Sequence, residues 1–322
     1  MAQPYPDELD PDPRELWEAA RDGDVQHCRG LLQLHYTIPG YVDHEDGLQY
    51  TTALIVALEW SGIYARKFDF DHTRHHLAVV KLLLYYGADA SRICNNGTNA
   101  LHNAIIHAPS DEYLFGILST LGRNQLDAKN FDGRTALMCA ILFTDPTLYK
   151  YQVSALLRHG ADAQTVDYDG NSILHQIVSP SQWLLDTVKP YHVDINRRCA
   201  CGRTPIHFQI YQERRNRRSR STGFARKIAL LLGNNVDISI VDDDGKTAVE
   251  NAEYFLPPDN EGLLLLQYRE KERERMLAFA MGTHPQNNEN CLVRPFTMEY
   301  MRMIAEASGF DSTRPFSKHD KE

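Results

Sequence analysis

A tripeptide with Asp at its centre and small or apolar neighbours returns five times in this chain of 322 residues: Ala88-Asp89-Ala90, Leu126-Asp127-Ala128, Ala161-Asp162-Ala163, Val193-Asp194-Ile195 and Val236-Asp237-Ile238. The aspartates lie 38, 35, 32 and 43 positions apart. After each comes a Gly that opens an apolar, helix-like start: Gly97-Thr98-Asn99-Ala100-Leu101-His102, Gly133-Arg134-Thr135-Ala136-Leu137, Gly170-Asn171-Ser172-Ile173-Leu174-His175, Gly202-Arg203-Thr204-Pro205-Ile206-His207 and Gly245-Lys246-Thr247-Ala248-Val249. Two weaker copies precede them, so the apolar anchors are Leu16, Leu54, Leu101, Leu137, Leu174, Ile206 and Val249. Length alone predicts about two globular domains. A repeat of this size instead predicts stacked units, none of which can bury its own apolar face alone.

The chemistry within a unit is legible residue by residue. Thr135, Ser172, Thr204 and Thr247 stand where a hydroxyl can cap the first amides of a helix, and Pro205 stands in a first turn, where its missing N–H costs nothing. A second helix carries Leu31 and Leu32, Leu82 to Leu84, Leu156 and Leu157, and Leu230 to Leu232. Gly87, Gly160 and Gly233 are expected to end it in the left-handed conformation that Gly reaches most cheaply. Asp132-Gly133, Asp169-Gly170 and Asp244-Gly245 are turn dipeptides that shape a finger before the next unit.

These motifs resemble the ankyrin repeat family, whose unit of about 33 residues sets a Thr-Pro-Leu-His-x-Ala pattern on a β-turn and two antiparallel helices. Thr204-Pro205-Ile206-His207, Leu156-Leu157-Arg158-His159-Gly160-Ala161-Asp162 and Lys81-Leu82-Leu83-Leu84-Tyr85-Tyr86-Gly87-Ala88-Asp89 carry the likeness. The resemblance implies an all-α ankyrin-repeat solenoid with β-turn fingers, about seven units over residues 14–275. Residues 1–13 are expected to be a disordered N-terminal segment, and 276–322 a C-terminal helical cap or docking segment. Excess length over the ideal unit is expected between the helices of the second unit, at Glu59 to His75, and in the sixth, at Gln212 to Ser221. A smaller excess falls at Thr144 to Tyr151, and a long finger at His35 to Gln49.

Net charge of −9 argues against general attraction to nucleic acid or anionic membrane. The longest apolar runs, such as Leu263 to Leu266, fall far short of the roughly 20 residues that span a bilayer, and the acidic, proline-containing start has no secretory pattern. A cytoplasmic or nuclear address follows, and the six irregularly spaced cysteines read as reduced thiols. Cys199-Ala200-Cys201 has one residue between its thiols rather than the two usual in zinc sites.

No phosphate loop, nucleophile elbow or His-Glu-x-x-His is present, so no enzyme is expected, and no cofactor or metal. His102, His175 and His207 occupy one repeat position, which spaces them in a row rather than a cluster; the family resemblance gives that His a structural role. His72 and His76 have the i, i+4 spacing of a helix face, but no further ligand set accompanies them, and a polar loop or helix start is the expected setting.

The expected function is non-catalytic recognition of a partner protein on the concave face, by an adaptor or scaffold that is itself monomeric. Phe131, Arg134, Tyr168, Asn171, Arg197, Arg203 and Asp243 are the candidate contacts; the partner is unidentified, and direct nucleic-acid binding and membrane association are not expected. Arg214, Arg215, Arg217, Arg218 and Arg220 form a basic loop suited to nuclear import or to docking acidic groups. One alternative is therefore a nuclear transcription coregulator. Another is a substrate adaptor of a ubiquitin ligase that uses the C-terminal segment, where a helix is expected at 262–281 and a shorter one at 298–307.

Overall fold

Each Gly-centred finger leads the chain into helical or turn structure at the register the repeat predicts. A computed structural model of the chain describes residues 12–35, 37–45, 51–67, 69–107, 117, 123–143, 149–177, 182–215 and 223–280. The chain divides into two units, Met1–Tyr168 and Asp169–Glu322.

In the first unit the helix pairs are α1 (Pro13–Asp22) with α2 (Val25–His35), α3 (Ala53–Arg66) with α4 (Phe70–Tyr85), and, after α5 (Ala100–His107) and the short α6 (Arg123–Leu126), α7 (Ala136–Phe143) with α8 (Tyr149–His159). First helices stack in chain order: α3 packs on α1 and α5, and α5 on α7. In the second unit α9 (Gln182–Val188) and a 3-10 turn (Lys189–Tyr191) precede α10 (Pro205–Arg215) with α11 (Phe224–Gly233), then α12 (Ala248–Phe255) with α13 (Glu261–Ala280). Extended pairing takes the form of isolated bridges, among them Glu45 with Thr52, Ile93 with Asn99 and Val241 with Thr247.

The anchors read from the repeat are the core: Leu16, Leu54, Leu101, Leu137, Leu174, Ile206 and Val249 are each at most 2% exposed. Burial on that scale contributes about 2 kcal/mol per side chain. Gly87 and Gly160 end their helices with φ of +85° and +97°. In each case the next residue's N–H reaches back, Ala88 to the Leu83 carbonyl and Ala161 to that of Leu156, both at 3.0 Å.

Several expectations change. The surplus in the second repeat is not a loop: it lengthens both helices, and the added turn of α3 brings Gly62 against His107, where a Cβ would lie 2.8 Å from that of the histidine. Gly233 lies inside α11, and Asn235 takes the left-handed conformation instead, at φ +61°. This is the substitute an Asn can make at modest strain.

Domain boundaries shift for similar local reasons. Asp12 and Pro13 belong to the start of α1, because the Asp12 carboxylate accepts from the Arg14 N–H at 2.9 Å; residues 1–11 of the expected disordered segment lie outside the described residues. The expected boundary between 275 and 276 falls within α13, which runs on to Ala280. Leu263, Leu265 and Leu266 of that helix are buried, and Gly262 lets it press on the Phe224 ring of α11. The second C-terminal helix expected at 298–307 lies outside the described residues. The basic loop also begins later than its composition suggests, since Arg214 and Arg215 form the last turn of α10; Arg217, Arg218 and Arg220 lie outside the described residues.

Candidate functional site

The fingers are tight loops closed by one recurring bond, from the residue three before the finger Gly to the carbonyl just after it. Cys94 donates to Thr98, Asn130 to Arg134, Cys199 to Arg203 and Asp242 to Lys246, at 2.8 to 3.0 Å. Side chains reinforce the loops, with the Asn130 Oδ1 accepting from the N–H groups of Asp132 and Arg134, and the Asp242 Oδ1 from those of Asp244 and Lys246. Neighbouring fingers are joined by their backbones. In the first unit Phe131 N–H donates to the Asn96 carbonyl at 3.2 Å; in the second, Ala200 donates to Asp169 at 2.8 Å and Asp243 to Cys201 at 3.4 Å.

Finger glycines permit this approach. Gly97, Gly133, Gly170, Gly202 and Gly245 all have φ between +71° and +76°. A Cβ on Gly170 would stand 2.8 Å from the Ala200 nitrogen, and one on Gly97 2.6 Å from that of Phe131.

The histidine row is structural. His175 Nδ1 accepts from the Ser172 N–H at 3.0 Å and lies 2.9 Å from its hydroxyl, while His207 Nδ1 lies 2.8 Å from the Thr204 hydroxyl. The expected caps at Ser172 and Thr204 are therefore redirected, their hydroxyls meeting histidine nitrogens. Residues 173–176 form turns in place of a first helix. Thr135 and Thr247 cap as expected, Thr247 with Glu250 in a reciprocal capping box. Each histidine Nε2–H then donates to a carbonyl in the next finger: His102 to Arg134 and His175 to Arg203 at 3.0 Å, His207 to Lys246 at 3.3 Å. Burial holds His102 and His207 below the usual imidazole range.

His76 is a second kind of staple. It is fully buried on α4, with its Nδ1 2.8 Å from the His72 carbonyl and its Nε2 2.9 Å from the Arg21 carbonyl, so both ring nitrogens are engaged. Its ring fills the space above Gly23, where a Cβ would come within 2.8 Å. His72 and His76 thus lie on a helix start, capped by Asp69, and His76 ties the first helix pair to the second. Among the described residues, no group of three or more His, Cys, Asp or Glu could hold a metal ion. Cys199 and Cys201 do approach, with sulfurs 2.9 Å apart, the former buried and its thiol pushed up by that burial, the latter exposed.

The candidate contacts divide by finger position. Phe131 and Tyr168 sit at finger tips, 64% and 69% exposed, with the Lys129 ammonium 5.8 Å from the Tyr168 ring centre. Asp243 is exposed at the equivalent tip and pairs with the exposed Arg198 at 2.8 Å. Arg197 is half-buried. Asn171 departs from expectation, being only 6% exposed. It shares the slot after the finger Gly with Thr98, Arg134, Arg203 and Lys246, where a short side chain stays inside and only a long one climbs out. Arg134 pairs with Asp132 at 3.1 Å. The Arg134 and Arg203 Nε–H groups are both buried without an acceptor among the described residues, leaving their outer nitrogens as the working ends.

Sequence reasoning missed the partners of these cations. The Arg203 guanidinium lies 3.5 Å from the centre of the Tyr211 ring, Lys246 lies 4.4 Å from that of Tyr254, and Arg214 lies 4.3 Å from that of Phe255. Tyr211 and Tyr254 each follow their finger cation by eight residues. That recurring offset from the finger Gly is the signal that could have found them.

No protein-family model matches the chain. It is 30% identical over 162 residues to the B-cell lymphoma 3 protein homolog of Mus musculus, an alignment covering 48% of this chain and 33% of that protein. It is 27% identical over 186 residues to the phosphocholine transferase AnkX of Legionella pneumophila, covering 55% of this chain and 19% of the relative. The chain therefore spans a third or less of the length of these relatives. Among solved structures it is similar to the ankyrin repeat domain of Bcl-3, with a TM-score of 0.58 at 22% identity over 79% of this chain and 97% of that one. The human ASB11 ankyrin repeat domain gives a TM-score of 0.53 at 17% identity, over 79% and 96% of the two chains.

Proposed function

Because this chain carries the ankyrin-repeat fold, we propose that it is a non-catalytic scaffold or adaptor that recognises a partner protein through its fingers and first helices. The observation that carries this reading is the division of labour along each finger. The polar groups with chemical potential, His102, His175 and His207, are consumed in joining repeats, while the side chains left at the tips differ from finger to finger: Phe131, Tyr168, Ala200, Asp243. A constant frame with variable tips suits recognition. Backbone joints between fingers keep those tips ordered before binding, which lowers the entropy lost on association.

Among the described residues no helix is long and apolar enough to cross a membrane. The test is affinity capture from an extract of the cells that express the protein, comparing wild type with a Phe131→Ala/Tyr168→Ala/Arg203→Ala variant and with Tyr85→Ala, which alters an exposed residue at the end of a second helix. The reading expects a partner held by wild type and Tyr85→Ala and lost by the finger variant. Equal capture by all three, or turnover of a substrate by the purified chain, contradicts it.

A further inference from the structure

The last two repeats repeat a device that the others lack. In the slot after the finger Gly each carries a cation, and eight residues later each carries a tyrosine that the cation covers: Arg203 on Tyr211, Lys246 on Tyr254. The same slot and offset elsewhere hold Thr98 with Ile106, Arg134 with Leu142, and Asn171 with Ser179. The two pairs are joined into one strip. Tyr211 meets Phe255 edge-on with ring centres 4.9 Å apart, Phe255 meets Tyr254 at 5.0 Å, and Arg214 covers Phe255. Tyr254 is 72% exposed at the end of the strip.

Three of the nearby carboxylates are engaged elsewhere. Asp243 pairs with Arg198, Glu250 accepts from the Thr247 N–H at 2.7 Å, and Glu253 accepts from Gln267 at 2.8 Å. Among the described residues no carboxylate lies within ion-pair distance of Arg203, Arg214 or Lys246. A guanidinium stacked on a ring still offers its in-plane N–H donors to a planar anion.

We infer that this strip is an acidic-peptide site, taking a polyproline-II segment of the partner whose carboxylates recur every third residue. The inference rests on the proposed recognition function and names the chemistry of its partner at the last two repeats. The spacing follows from the geometry: successive stacked helices lie about 9 Å apart, and three residues of polyproline-II chain advance about 9 Å and return the side chain to the same face, so one carboxylate meets each cation while a flanking apolar side chain reaches the exposed Tyr254. On a protein that is negatively charged overall, this aromatic-backed cationic strip draws an acidic segment locally against the general repulsion.

The test is fluorescence anisotropy of the full chain with two labelled peptides of roughly twelve residues, long enough to cross both repeats: one with Glu at every third position between Leu and Ser, the other with Gln in place of Glu. The Glu peptide is expected to bind about tenfold tighter or better, and to weaken as salt is raised. An Arg203→Gln/Lys246→Gln variant should lose that preference, and Lys246→Arg should keep it. These changes leave untouched the Arg203 and Lys246 carbonyls that hold His175 and His207, and unchanged circular dichroism and melting confirm the fold. Equal binding of the two peptides, binding of neither, or an unaltered preference in the double variant overturns the inference. If the acidic peptide fails while a partner captured by wild type is still lost on Phe131→Ala/Tyr168→Ala, this inference falls and the recognition function stands.

Discussion

Replacing one finger glycine at a time by alanine separates local backbone strain from the joint between fingers. Gly170, Gly202 and Gly245 occupy the same turn position in the second unit, with φ of +76°, +71° and +73°. Each substitution therefore incurs a similar left-handed strain of about 1 to 2 kcal/mol. Their surroundings differ. Gly245 has nothing within 4 Å, Gly202 would meet the side-chain ends of Arg198 and Asp243, and Gly170 would meet the backbone of Cys199 and Ala200. The side-chain ends can swing aside, but the backbone cannot move without stretching the 2.8 Å bond from Ala200 to Asp169. Losing that bond adds about 1 kcal/mol, more if the fingers separate. Gly170→Ala is thus expected to destabilise by about 3 kcal/mol in all and Gly245→Ala by about 1 to 2, with Gly202→Ala near the latter. Urea and thermal unfolding of the full chain, followed by far-ultraviolet circular dichroism, provide the ranking. Equal losses at 170 and 245 would refute the claim that finger backbones are joined.

Other outcomes follow from buried titrating groups and from the staples. Because burial lowers the His102 and His207 pKa values, their stabilising contribution is complete above about pH 6.5 and is lost as pH falls from there toward the folded-state values. Melting temperature should therefore drop on acidification, and His207→Gln should flatten the slope by up to about 1.4 kcal/mol per pH unit; an unchanged slope contradicts the buried neutral form. Cys28 and Cys139, whose thiols burial pushes up to about 12, should resist iodoacetamide in the folded chain while Cys201 reacts, as peptide mass mapping can tell. His76→Ala should speed hydrogen exchange in α1 and α2 more than in α7, since it removes the bond to Arg21; uniform exchange would dissolve that staple. Asp243→Asn should change stability by less than about 1 kcal/mol in the same melts, because its pair with Arg198 is half exposed.

What was legible in the sequence was whatever depends on local chemistry repeated in register. The anchors from Leu16 to Val249, the finger glycines, the histidine row and the leucines of the second helices each recur at fixed offsets, and each is found where the offset puts it. Length surplus was misplaced in the second repeat because spacing reports that residues are extra, not whether they loop out or add turns, and Asp69 with its polar neighbours begins a helix as readily as a loop. Asn171 was misjudged because exposure in its slot depends on side-chain length against the neighbouring finger. The aromatic partners of Arg203, Lys246 and Arg214 escaped because the pairings cross from finger to helix or from one repeat to the next, and no single motif contains both members.

The most direct test of finger-based recognition is hydrogen exchange on the chain with and without its captured partner. The account predicts slowed exchange in the fingers at 93–98, 129–134, 197–203 and 241–246 and in the first helices behind them, with second helices such as α4 and α8 unchanged. Protection confined to the second helices, or absent from every finger, would contradict it.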